Sequence, residues 1–170
     1  MQEKSINIYV AGIVLFLIVL LQTHFLPAFL PNVSQFVPDL TLLLVIIWSL
    51  MLPWSRSLWL AFVSGLALDL FRVGIYPFGL TALLFSFVAF GLSFVGESRY
   101  QNALIQTVPI TVVSALTYRL LFLLALQVLG YNVLQLNTIL NVVLPVTVLD
   151  GALMILFLRP VRALTQLGIK

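Results

Sequence analysis

Three charged residues stand inside long apolar runs: Asp69 in Gly65-Leu66-Ala67-Leu68-Asp69-Leu70, Arg119 in Leu116-Thr117-Tyr118-Arg119-Leu120, and Asp150 in Val146-Thr147-Val148-Leu149-Asp150. A charge in apolar surroundings is costly unless it pairs with another group or carries a function. Such residues could form a proton or ion relay, a ligand site, or an ion pair that orients helices. A relay needs a chain of titratable groups at successive heights, and three groups at unequal heights favour the ion pair. Counted from the inner membrane surface at 1.5 Å per residue, Asp69 lies about 18 Å deep, Arg119 about 25 Å and Asp150 about 12 Å. These depths predict an Asp69–Arg119 contact, with Arg72, three residues on, as the competing partner for Asp69.

The rest of the chemical stock is thin. The 170 residues contain one His, five carboxylates and no Cys. Disulfides, thiolate nucleophiles and Cys metal sites are therefore excluded. His24 has no His or Cys neighbour, whereas a zinc site needs three or four ligands. Asp39 follows Pro38 at the start of an apolar run, which reads as a capping or first-turn carboxylate at a helix start on the outer surface. No nucleophile elbow, zinc-binding helix or glycine-rich phosphate loop occurs. No catalytic set, metal site or cofactor site is expected. The net charge is +3, but the eight Lys and Arg residues are scattered singly. Nothing tracks a phosphate backbone, so no nucleic acid is expected.

The elements that must hold these residues follow from composition. Apolar residues make up 62% of the chain and charged ones only 8%, against about 25% charged in an ordinary globular protein. The chain reads as an all-α membrane protein of six transmembrane helices forming a single domain over residues 1–170. The spans are placed at about Ile6 to Leu26, Pro38 to Leu52, Ser57 to Phe71, Phe78 to Val95, Asn102 to Leu129 and Asn137 to Leu158. The apolar runs are continuous rather than alternating, unlike the strands of a membrane barrel. The first run ends in bulky Gln22-Thr23-His24-Phe25 and reads as a retained anchor rather than a cleaved signal. The second and third spans are short for a bilayer.

Basic residues orient the spans. Lys4, Arg56, Arg99, Arg159, Arg162 and Lys170 fall on one side and only Arg72 on the other, which places both termini in the cytoplasm. The basic helix ends are positioned to meet anionic membrane lipids. Trp54 and Trp59 fall at one membrane level as an aromatic belt. Gly65 with Ala61, and Ala89 with Ser93, are small pairs that permit close helix packing. Pro145 leaves the carbonyl of Asn141 without its helical partner and predicts a kink near Asp150.

The three outer connections are unusually apolar. They carry Phe29, Leu30, Val33 and Phe36, then Tyr76 and Phe78, then Tyr131 and Leu134. Connections in water are normally polar, and a contiguous apolar patch marks an interaction surface. A partner site is expected on this face.

In order and spacing the chain resembles the bacterial rod-shape-determining MreD family. The resemblance rests on Pro38-Asp39-Leu40 followed by a Leu-rich run to Trp48-Ser49-Leu50. It continues in Gly65-Leu66-Ala67-Leu68-Asp69-Leu70 and in Pro77-Phe78-Gly79-Leu80. Asp150 in the last span, with Arg159 and Arg162 after it, also fits. The resemblance implies a small multi-pass protein of the bacterial inner membrane, with a fold similar to the six-helix substrate-binding subunits of energy-coupling-factor transporters. It implies no enzymatic activity. The implied role is a scaffold of the peptidoglycan elongation complex that holds the bitopic protein MreC, and with it RodA, a penicillin-binding protein and the filament protein MreB. The rival is a solute-binding transporter subunit, for which Asp69, Arg119, Gln106 and Asn141 would have to converge on one pocket.

Overall fold

The computed structural model describes residues 8–29, 38–72, 77–96, 104–133 and 135–167, and contains no strand among them. Helix α1 runs over Ile8–Leu20, through a π-helical turn Leu21–Phe25, into Leu26–Phe29. Helices α2, α3, α4 and α5 are Leu40–Met51, Trp54–Phe71, Leu80–Gly96 and Leu104–Val128. Helix α6 begins with Leu136–Thr138, widens into a π turn at Ile139–Val143, and continues as Leu144–Leu167.

Both π turns end two residues before a proline, Pro27 and Pro145. Proline has no N–H to offer the carbonyl four residues back, and its ring crowds that carbonyl. In each case the preceding residue bonds five back instead: Leu26 N–H to the Leu21 carbonyl, and Leu144 N–H to that of Ile139. The expected break at Pro145 thus takes the form of a wide turn, a device common at functional sites.

The buried stripes of α3 and α5 repeat every three or four residues and are mostly small or hydroxylated: Ser57, Ala61, Ser64 and Gly65, with Leu68, on α3, and Thr107, Thr111, Ser114, Ala115 and Tyr118 on α5. Many large apolar residues face outward: Phe16 and Leu17 on α1, Phe87 and Phe94 on α4, and Val148 and Leu156 on α6. Small residues inside and large ones outside is the distribution of helices packed in lipid. Two segments, Thr107–Val128 and Leu136–Phe157, are long and apolar enough to cross a membrane.

Helix α2 differs from the others. It has 12 residues, and Leu40 through Ser49 are all buried, on every face. A helix apolar all round is a core helix. At about 18 Å it is shorter than a bilayer core. Short helices are tolerated at membrane depth where protein covers their ends, and the first residues of α2 are covered. Helix α3 is longer than expected, starting at Trp54. Helices α3 and α4 approach closely at Gly65, where an added Cβ would lie 2.3 Å from the Ala82 Cα.

Candidate functional site: a buried polar junction

Helix α2 must start somewhere, and it starts inside the bundle. The first N–H groups of any helix lack intrahelical partners. At α2, Asp39 Oδ1 accepts from Leu42 N at 3.3 Å, while Gln22 Oε1 accepts from Thr41 N at 2.9 Å and from Thr41 Oγ1 at 2.7 Å. Gln22 Nε2 closes the loop by donating to Asp39 Oδ1 at 2.9 Å. The π turn of α1 carries Gln22 and so fixes its partner.

The junction continues into α6 and α5. Asp39 N donates to Asp150 Oδ1 at 3.0 Å, and Arg119 donates to Asp150 Oδ2 at 2.6 Å. Arg119 also reaches Thr147 Oγ1 at 3.4 Å. The Asp150 side chain has no exposed surface and that of Arg119 is 14% exposed. Among the described residues no buried side-chain nitrogen or oxygen lacks a hydrogen-bond partner. Gly151 seats α6 against Val112 of α5, which brings the two charged residues within reach.

Four helices therefore bring polar groups together: Gln22 of α1, Asp39 and Thr41 at the start of α2, Arg119 of α5 and Asp150 of α6. What this arrangement does chemically is lock: it fixes the mutual register of α1, α2, α5 and α6. Its carboxylates act only as acceptors, and no group of three or more His, Cys, Asp or Glu among the described residues could hold a metal.

One expectation needs correction: Arg119 pairs with Asp150, not with Asp69. The apolar stretch of the last span ends at Phe157, beside the expected Leu158, although the helix itself continues to Leu167. Asp39 does cap its helix, and it is buried. Gln22, Thr41 and Thr147 were not foreseen. The available signal was a lone amide in an otherwise apolar span, which lipid would not satisfy.

Asp69 has a separate task. Its Oδ2 accepts from Gly79 N at 2.9 Å and Thr81 N at 3.2 Å, so it caps α4 from the end of α3. Asn caps about as well as Asp, so Asp69→Asn is expected to shift unfolding by less than about 0.5 kcal/mol and Asp69→Ala to lower stability by about 1–2 kcal/mol. Thermal unfolding of the purified protein checks this. A loss in Asp69→Asn as large as in Asp69→Ala would show that the charge itself is needed.

Of the expected outer-face residues, Phe78 and Tyr131 are exposed. Leu30, Val33, Phe36, Tyr76 and Leu134 lie outside the described residues, as does the side chain of Phe29. His24 meets Phe71 edge-on at 5.8 Å, which places the ends of α1 and α3 together on this face. Val128, Leu129 and Leu136 add exposed apolar surface to the connection between α5 and α6.

The family model for rod shape-determining protein MreD matches residues 3–167, nearly the whole chain. The chain belongs to the MreD family. No curated protein and no solved structure matches it. Membership of the MreD family assigns the chain to rod shape determination. The residues that resemble the family, Pro38-Asp39 and Asp150, meet in the buried junction. Gly65 and Pro77-Phe78-Gly79 border the contact of α3 with the start of α4.

Proposed function

We propose that this MreD-family chain is a non-enzymatic scaffold of the peptidoglycan elongation complex in the bacterial inner membrane. In this reading six helices cross the membrane with both termini cytoplasmic, in an arrangement similar to the substrate-binding subunits of energy-coupling-factor transporters. The outer face holds the membrane-proximal segment of the bitopic protein MreC. RodA, a penicillin-binding protein and MreB complete the assembly, and the basic inner ends meet membrane lipids.

The observation that carries this reading is that the polar groups a solute pocket would need are engaged elsewhere. A solute-binding subunit needs convergent polar groups around a pocket. Here Asp69 is spent on capping α4, Arg119 on Asp150, and Asn141 is exposed and bonded to Asn137. The side chain of Gln106 lies outside the described residues. A scaffold needs the opposite: a rigid, satisfied interior and apolar surface at one end. Phe78, Tyr131 and Leu136 supply such surface.

The test is retention of MreC after Phe29, Phe36 and Tyr131 are changed to Ser or Asn. The control is a matched triple change at Ile13, Phe16 and Leu17, which are exposed on α1. The outer triple is expected to lose the partner and the control to keep it, with little dependence on salt because the contact is apolar. Undiminished retention by a correctly inserted outer triple would show that this face serves only as a membrane anchor.

A further inference from the structure

Helices α1 and α6 share one local construction. Each has a π turn ahead of a proline, and each π turn contains an amide side chain, Gln22 in α1 and Asn141 in α6. In α1 the amide is buried, and both its oxygen and its nitrogen are used: Oε1 accepts from Thr41 and Nε2 donates to Asp39. In α6 the amide faces out. Asn137 and Asn141 are exposed, and so are Leu140, Leu144 and Val148.

The π turn of α6 also frees backbone groups. Pro145 has no N–H for the Asn141 carbonyl, and the Leu144 N–H goes to Ile139 rather than to Leu140. Two carbonyls thus lose the donor four residues on, and both belong to exposed residues. They lie within the apolar segment Leu136–Phe157, with Asn141 about 7.5 Å along the helix from Leu136. Lipid offers no hydrogen bonds, so groups at this depth need protein partners. Asn141 Nδ2 donates to Asn137 Oδ1. An amide has two donors and two acceptor lone pairs, so this bond leaves the Asn137 nitrogen and the Asn141 oxygen to spare. Surface hydroxyls on α4 and α5 differ: Ser93 and Thr117 turn back onto carbonyls of their own helices, Phe90 and Val113.

The chemistry of this face selects its occupant. Two copies of one chain insert into a membrane the same way up. A two-fold axis along the membrane normal then sets each residue of α6 opposite its own counterpart at the same depth. A charge in that position would repel itself, whereas an amide pairs with itself because it both donates and accepts. The nearest charge on α6, Asp150, is buried and turned to Arg119.

We propose that the outer half of α6 is a contact between two copies of this chain, with Asn137 and Asn141 hydrogen-bonded across a two-fold axis and Leu144 and Val148 packed below them. The amide nitrogens of each copy are the donors that the freed carbonyls of the other lack. The proposal rests on α6 standing in lipid. It goes beyond the scaffold reading and holds whichever protein the outer face receives.

The chain has no Cys, so a single introduced thiol reports alone. The full chain carrying Val148→Cys, treated with copper phenanthroline in native membranes, is expected to give a disulfide-linked species of twice the chain mass. Val113→Cys, at an exposed position on α5, should stay unlinked. Adding Asn137→Leu and Asn141→Leu to Val148→Cys should lower the yield about threefold for each hydrogen bond lost between the copies. A cooperative thermal transition shows that each variant is folded. Equal linkage at Val148→Cys and Val113→Cys overturns the proposal, as does full linkage after both amides are removed. So does linkage of Val148→Cys to a protein of different mass, which would make this face the seat of another membrane helix.

Discussion

Asp150→Leu is expected to lower the stability of the purified protein by about 3 kcal/mol, at the lower end of the cost of breaking a buried ion pair. The change removes the acceptor of two bonds. Arg119 loses its carboxylate at 2.6 Å, and Asp39 N loses its acceptor at 3.0 Å. Arg119→Leu is expected to be about as harmful, because it leaves a carboxylate with no exposed surface and no cation. The double change, Arg119→Leu with Asp150→Leu, should recover much of the loss, since neither charge is then left alone. What remains is the Asp39 N–H, worth about 1–3 kcal/mol. Tryptophan fluorescence during thermal unfolding in detergent reads all three variants. If the double loss equals the two single losses added together, the residues act independently and the lock at this level is not real.

Gly65→Ala is expected to be the most damaging single-methyl change in the chain. The new Cβ would sit 2.3 Å from Ala82 Cα, 2.5 Å from Ala82 N and 2.8 Å from Thr81 C. All three are backbone atoms, so no side chain can rotate away. Helix α4 would have to move from α3, and Thr81 N would be drawn off the Asp69 carboxylate. Overpacking of a tight contact costs about 1–3 kcal/mol, and backbone against backbone falls at the top of that range. Gly91→Ala is the matched comparison. It lies in a helix with nothing within 4 Å of its added Cβ, and Ala is about 1 kcal/mol better than Gly inside a helix. Gly91→Ala should therefore raise the unfolding temperature while Gly65→Ala lowers it. A neutral Gly65→Ala would contradict the close contact of α3 with α4.

The small-residue stripes were legible in advance because they follow from a physical rule: helices in lipid pack on what is small. Gly65 and Ala61 were picked out on that basis, and both are buried. Asp39 was legible as a cap, because Pro-Asp before an apolar run has one ordinary meaning. Its burial was not. Composition shows that α2 is apolar, but only the assembled bundle shows it covered on every face. The partner of Arg119 is not legible either. Counting along separate spans gives a depth for each charge but not which helices pack together, and it is the seating of α6 on α5, Gly151 against Val112, that brings Asp150 to Arg119. Gln22 is not legible from the sequence because Gln22-Thr23-His24-Phe25 reads as the closing turn of an anchor, whereas the π turn before Pro27 keeps it within the helix.

The α1–α2–α5–α6 junction and the α3–α4 contact engage the buried polar groups of the described residues with one another. The measurement that bears most directly on the scaffold reading is purification of the full chain from its native membranes, with the retained proteins identified by mass. The expected companion is a single-span protein carrying a large extracytoplasmic domain. Recovery of a pair of cytoplasmic ATPases in its place would contradict the scaffold and make the chain a transporter subunit.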